Sequence, residues 1–178
     1  MRVGLTFNMR REAPEDAQEP PGALGADTRA EWDTPETITA VRNALAERHE
    51  IIPIDASEDA CSQLSETRPD IVFNIAEGDS GPCREGYIPS ILEHLQIPYT
   101  ASDPLTLNIC LDKARTKEIL AYYGLPTTRF RVVQEKDFSF NSLKYPLMVK
   151  PLYEGSSIGI RDNSLVRTEE EMKARVSS

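Results

Sequence analysis

Asp70-Ile71-Val72-Phe73-Asn74-Ile75 runs directly into Ala76-Glu77-Gly78-Asp79-Ser80-Gly81. The first six residues read as a strand whose nearly continuous apolar character suits a sheet covered on both faces. The next six read as the loop leaving its C-terminal end, carrying the glycine and acid that turns favour. Upstream, residues 2 to 8 form another short apolar run, ending in Asn8, and Ile51 to Ile54 a third. Between them Asp33-Thr34-Pro35-Glu36 reads as a helix start, with an Asp or Thr cap and a proline near the first turn. Ile38, Val41 and Leu45 supply the apolar stripe of that helix, which is expected to end near His49. Glu58 to Ser65 reads as a short polar helix. Strands alternating with helices, joined by right-handed crossovers, predict an open parallel α/β sheet over roughly the first hundred residues. A ligand of such a sheet sits beyond the strand C-ends, here Asn8, Asp55 and Asn74.

From Met9 to Asp33 the chain carries Pro14, Pro20, Pro21, Gly22 and Gly25 among many acidic residues, a composition that packs no core of its own. It is expected to be a long loop, mobile without ligand. On the other side of the opening stretch, Tyr87 to Leu95 continues as a helix with Ile88, Ile91, Leu92 and Leu95 on one side. Ile97 to Thr100 reads as a short strand and Ala101 to Pro104 as a turn. The organisation then changes: Leu105 to Tyr123 reads as one or two helices, closed by Gly124 as a C-cap with Pro126 beyond it. Thr127 to Val133, Tyr145 to Lys150 and Ile158 to Arg161 read as strands, so a second, smaller β-containing domain is expected to start near Asp103.

The composition is globular, with 39% hydrophobic and 28% charged residues in a chain of 178, and no stretch approaches a membrane span. The start MRVGLTF lacks the length of a secretory apolar core, which points to the cytoplasm. A formal net charge of −9 argues against a nucleic-acid partner, because binding a phosphate backbone needs a basic face. Cys61, Cys83 and Cys110 are odd in number and widely spaced, fitting neither a disulfide framework nor paired zinc ligands. His49 and His94 sit in no metal or triad pattern and are read as structural.

Leu147-Met148-Val149-Lys150 reads as an apolar strand ending in a lysine, and Gly155-Ser156-Ser157-Ile158-Gly159 follows as a small-residue turn. Lys150 at a strand end projects a point charge, the glycines allow backbone amides close to an anion, and Ser156 and Ser157 add hydroxyl donors. The pentapeptide alone favours an ordinary hairpin with a polar loop. The lysine just before it tips the reading toward a phosphate cradle.

These pieces resemble the D-alanine–D-alanine ligase family of the ATP-grasp superfamily. The likeness runs in order through Val72 to Gly78, Ile97 to Asp103, Leu111-Asp112-Lys113-Ala114-Arg115-Thr116-Lys117, Gly124 to Thr127, and Val149-Lys150-Pro151 through Glu154 to Gly159. It implies an open parallel Rossmann-like (pre-ATP-grasp) substrate domain over residues 1–102 and an incomplete small α+β ATP-grasp subdomain over 103–178. On this resemblance the chain is the N-terminal portion only of such an enzyme. The implied activity is phosphorylation of one D-alanine carboxylate by ATP, followed by attack of a second amine, in peptidoglycan precursor synthesis. Lys113 and Lys150 align with two lysines that contact nucleotide phosphates. Glu154, Gly155, Ser156 and Ser157 align with the loop that covers them, and Ser156 also helps bind substrate. Glu154 fits a loop or salt-bridge residue equally well. A glutamate after the first strand normally meets the ammonium group of the first D-alanine, and Ala30-Glu31 is the nearest match. Asp33 competes with Glu31 for that role, and either acid could instead favour the positive end of the following helix.

Two departures bear on substrate. The glycine-rich turn after the first strand is replaced by the long loop, and the usual histidine-glycine and Glu-Asp-Gly segments are replaced by Asn74-Ile75-Ala76-Glu77-Gly78 and Cys83-Arg84-Glu85-Gly86. The amino acid therefore need not be D-alanine, and Arg84 and Glu85 could line the pocket or cap the helix near Tyr87. The family's adenine-binding strand, its magnesium ligands and its phosphoryl-steadying arginine align beyond Ser178. No metal ligands are assigned within the chain, ATP and magnesium are expected for the full-length enzyme, and this polypeptide alone is expected to be inactive. A non-catalytic ligase-like binding domain is the alternative from another class. The apolar face left open in the small domain is a surface on which a homodimer could form.

Overall fold

The computed structural model describes residues 1–10, 31–133 and 143–177. The loop with Pro14, Pro20, Pro21, Gly22 and Gly25, expected to be mobile, lies outside the described residues. The chain divides into two compact units, Met1–Asn108 and Ile109–Ser178.

The first unit is built on three parallel strands, β1 (Arg2–Phe7), β2 (Glu50–Asp55) and β3 (Ile71–Asn74), in the order β2-β1-β3. In register, Leu5 lies opposite both Pro53 and Phe73, and Thr6 opposite Ile54 and Asn74. Helices α1 (Pro35–Ala46), α2 (Ala60–Thr67) and α3 (Tyr87–Leu95) follow the strands in turn. Because side chains alternate along a strand, β2 and β3 each feed two cores, and β1 feeds one. Leu5, Phe7, Ile51, Phe73 and Ile75 pack with Ile38, Val41 and Leu45 of α1. Ile52, Ile54 and Val72 pack on the opposite face with Leu64 of α2 and Ile88, Ile91 and Leu92 of α3. This is the open, doubly covered parallel sheet that the strand Asp70 to Ile75 predicts.

The caps explain where the helices start. Thr34 caps α1, its hydroxyl accepting from the Thr37 amide, and the proline predicted near the first turn is the first helical residue, Pro35. Asp59 caps α2 by accepting from the Ser62 amide, so that helix begins at Ala60 rather than Glu58. The strand expected over Ile97 to Thr100 is reduced to one parallel bridge between Val72 and Tyr99.

The second unit begins within α4 (Pro104–Leu111) and continues into α5 (Lys113–Tyr122). Asp112 separates the two helices: its backbone is extended and its carboxylate accepts from the Ala114 and Arg115 amides. At the other end, Gly124 takes φ 68°, its amide donates to Ala121 O and the Leu125 amide donates to Leu120 O. That is a Schellman close, which requires the left-handed backbone glycine adopts without penalty. The Thr127 to Val133 run forms no strand. Leu147–Met148 (β4) pairs antiparallel with Leu165–Val166 (β5), not with Ile158 to Arg161, the first two of which lie within the turn Ser156 to Gly159. Helix α6 (Glu169–Ser177) buries Met172.

Candidate functional site

Beyond the C-ends of β1 and β3, at the point where strand order reverses, the chain is held by asparagines. Asn8 is buried, and its Oδ1 accepts from the Glu77 and Gly78 amides at 2.9 Å each while its Nδ2 donates to Asp79 Oδ1 at 3.2 Å. Thr6 donates to Asn74 Oδ1 at 2.6 Å, and the same oxygen accepts from the Ala76 amide. Gly78 has φ 77°, and a Cβ there would lie 2.4 Å from Arg84 O, so the turn closes only on glycine. The backbone of Asp33 is tied to the end of β1 by Asp33 N to Asn8 O and Arg10 N to Asp33 O.

These ties gather charged side chains. Arg84 Nη2 donates to Glu31 Oε2 at 2.8 Å, with both side chains buried, at 6% and 7% exposure. Glu77 is pushed up to about 7, chiefly by burial and then by the neighbouring carboxylates of Glu85 and Glu31, with Arg84 pulling the other way and Asp33 adding to the rise. Burial also raises Asp33, whose Oδ2 is buried with no hydrogen-bond partner among the described residues. Asp79 is raised by burial and by Asp55. Arg84 and Glu85 lie in a single 3-10 turn, Arg84–Gly86, ahead of α3, and neither side chain caps that helix.

In the second unit, Lys113 opens α5 and reaches the segment that precedes the small-residue turn. Its amide donates to Leu152 O at 3.3 Å, and its Nζ donates to Leu152 O at 3.4 Å and to Glu154 O. Lys113 and the turn, 39 residues apart at Leu152, are thereby brought together. The turn itself runs through left-handed backbone at Ser156, Ser157 and Gly159. Two tight bonds, Ile158 N to Gly155 O and Ile160 N to Ser157 O, shape it, and buried Ile158 anchors it. Ser156, Ser157 and Lys150 are exposed. Arg175 of α6 donates to Gly159 O and to the buried Ser164 Oγ, which also accepts from the Arg161 amide.

Lys113 thus meets the segment that leads into Gly155, Ser156 and Ser157, and Glu31 lies in the other unit beside Arg84. Lys150 does not end a strand as expected, because β4 stops at Met148, two residues before it. Sequence reasoning placed Asn8 at a strand end facing the site but missed the bonds it makes, and it missed the parts played by Arg175 and Glu77. Asn8 is visible as a polar residue ending an apolar strand, whereas the link from Arg175 to Gly159 spans 16 residues with no local signal. Glu77 draws its raised value from tertiary neighbours. Among the described residues no group of three or more His, Cys, Asp or Glu side chains has the arrangement to hold a metal ion, and no helix is long and apolar enough to cross a membrane.

The chain is similar to proteins of known kind. The D-alanine–D-alanine ligase of Agrobacterium fabrum is 40% identical over 115 residues, 64% of this chain and 37% of that protein. The D-alanine–D-alanine ligase of Syntrophotalea carbinolica is 34% identical over 154 residues, 86% of this chain and 48% of that protein. The chain thus spans less than half the length of these curated relatives. The crystal structure of D-alanine–D-alanine ligase from Bacillus anthracis superposes with a TM-score of 0.69 at 26% identity, covering 99% of this chain and 53% of that one. The family described as D-ala D-ala ligase C-terminus matches residues 119–178. That match corrects the expectation of an N-terminal portion only: the stretch from the end of α5 through α6 is C-terminal-domain sequence, because the family's C-terminal region already starts within the small unit. In sequence and in fold, the chain therefore matches the D-alanine–D-alanine ligase family of the ATP-grasp superfamily over part of a member's length.

Proposed function

We propose that this chain is part of an ATP-dependent, ADP-forming carboxylate–amine ligase acting on D-alanine in peptidoglycan precursor synthesis. The observation that carries the reading is the convergence of Lys113 with the backbone of Leu152 to Glu154, directly before Gly155-Ser156-Ser157. The donor set fits a polyphosphate: an ammonium beside the turn, a second, exposed one on the segment after β4, and two exposed hydroxyls on left-handed backbone. ATP, when bound, supplies the phosphoryl group that makes a carboxylate reactive toward an amine. Lys113 and Lys150 would hold its phosphates, with Glu154, Gly155 and Ser157 covering them. Ser156 would add a donor to phosphate and substrate. Glu31 would meet the substrate ammonium as a buried carboxylate. Residues 1–102 would serve as the substrate domain and 103–178 as ATP-grasp sequence, and magnesium would take its ligands from other parts of the protein. The reading carries with it a cytoplasmic location and no nucleic-acid partner, and a homodimer would show as twice the monomer mass in light scattering.

The test is phosphate release from magnesium-ATP by the full-length protein. D-Alanine-dependent release is expected, reduced about a hundredfold or more in Lys150→Ala, since it removes a charge aimed at the transferring group. A ligase for a different amino acid is the second reading, favoured by the pairing of Glu31 with Arg84, and release with another D-amino acid or a hydroxy acid would select it. Absence of release with every such substrate would leave a non-catalytic binding domain and overturn both.

A further inference from the structure

Arg84 is held more firmly than an ordinary surface arginine. Its side chain is 6% exposed, its carbonyl is packed against Gly78, and the Gly86 amide two residues on donates to Asn108 Oδ1 at 3.2 Å. Gly78 is in turn fixed by buried Asn8. The guanidinium is therefore fixed from both sides of its turn and donates to Glu31 Oε2. The charged groups around this pair come from three segments: Asp33 near Glu31, Glu77 from the turn after β3, and Glu85 beside Arg84 itself.

We propose that Arg84 is a positioning residue: it fixes the carboxylate of Glu31 in one orientation, so that it accepts from a substrate ammonium group. The inference rests on the reading of Glu31 given above. The physics has two parts. A buried carboxylate with one oxygen bonded to a guanidinium loses its rotational freedom, so an ammonium meets a preorganised acceptor. Without the guanidinium, the carboxyl groups of Glu31, Asp33, Glu77 and Glu85 lose that positive neighbour, and Glu77, whose value Arg84 draws down, rises further and takes up a proton more readily. A protonated carboxyl is a poor partner for an ammonium.

The experiment compares D-alanine with D-lactate, in which a hydroxyl replaces the ammonium group, by ligand-detected NMR titration on the full-length protein. The proteins are the wild type, Arg84→Met, Arg84→Lys and Glu31→Gln. D-Alanine is expected to bind Arg84→Met about tenfold to a hundredfold more weakly, the scale of a lost charged hydrogen bond, with D-lactate little changed. Raising the pH should restore part of the loss by ionising the cluster again, and Arg84→Lys, which keeps the charge, should recover part of it at neutral pH. Equal weakening of both ligands at every pH would make Arg84 a merely structural residue and overturn the proposal. So would D-alanine binding unchanged in Arg84→Met but lost in Glu31→Gln, which leaves the role of Glu31 standing. D-Alanine binding that is absent in the wild type, or unaffected by Glu31→Gln, would overturn the reading of Glu31 and the proposal with it. If Arg84→Met does not fold, Arg84→Lys carries the same comparison: D-alanine weakened more than D-lactate supports the proposal, and equal weakening overturns it.

Discussion

Ser157 shows how a single residue can be set by geometry against its own preference. Its φ of 64°, next to 43° at Ser156, is a left-handed conformation that costs an ordinary residue about 1 kcal/mol or more. Ser157→Gly should therefore raise stability by up to about 1 kcal/mol, read as a higher urea midpoint with unchanged slope. Glu77 gives the second prediction at this scale. Its folded value is raised to about 7 from 4.5, so between those limits the folded protein holds a proton that the unfolded chain has released. Stability from this group is present below the unfolded value and is lost as pH rises through about 7. Unfolding midpoints measured at about pH 5 and about pH 8 should fall over that interval, and Glu77→Gln should flatten the fall.

At the scale of elements, the division of one apolar run into α4 and α5 is decided by Asp112. Helical periodicity continues across it, but its carboxylate takes the Ala114 and Arg115 amides, and this sets Lys113 at the first position of a new helix. Asp112→Ala removes an N-cap worth about 1 kcal/mol and lets the Lys113 side chain depart from the Leu152 and Glu154 carbonyls. The expected outcome is a lower unfolding midpoint together with faster amide exchange in residues 152–155. The far end of α5 is fastened separately. Lys117 Nζ donates to Thr127 Oγ1 at 3.2 Å and to Thr128 Oγ1 at 2.5 Å and lies 5.8 Å from the Phe130 ring centroid. Those contacts tie residues 127 to 130 to α5 where no strand forms: a side chain supplies part of what a neighbouring ladder would have.

At the scale of the molecule, the first unit depends on the two-sided burial of one small sheet. Leu92 of α3 is fully buried among Val72, Ile54 and Leu64, so Leu92→Ala should cost about 2–5 kcal/mol in chemical denaturation. A cost well below that range would mean that α3 can collapse onto β3, contrary to a close-packed face. The second unit has a thinner core: Ile158, Val166 and Met172 are buried, while Tyr122, Tyr123 and Leu125 are more than half exposed. Its order therefore leans on side-chain-to-backbone bonds such as those of Lys113, Lys117 and Arg175.

What the sequence determined by itself was whatever depends on near neighbours. The apolar run Ile71 to Ile75, the cap at Thr34 with Pro35, and Gly124 closing α5 are each legible because strand period, capping and left-handed backbone are local properties. The ordered fragments from Val72 to Gly159 were enough to point to the ligase family. Local pattern did not fix the short elements of the small unit: Thr127 to Val133 has strand composition but no ladder partner among the described residues, and β4 found Leu165–Val166 beyond the turn. Nor could it foresee that Glu31 would be met by Arg84, 53 residues away, or that Lys113 would clasp the carbonyls of Leu152 and Glu154. Those outcomes belong to tertiary structure, because burial and long-range pairing set a carboxylate's charge and a lysine's direction, and both exist only once distant segments have come together.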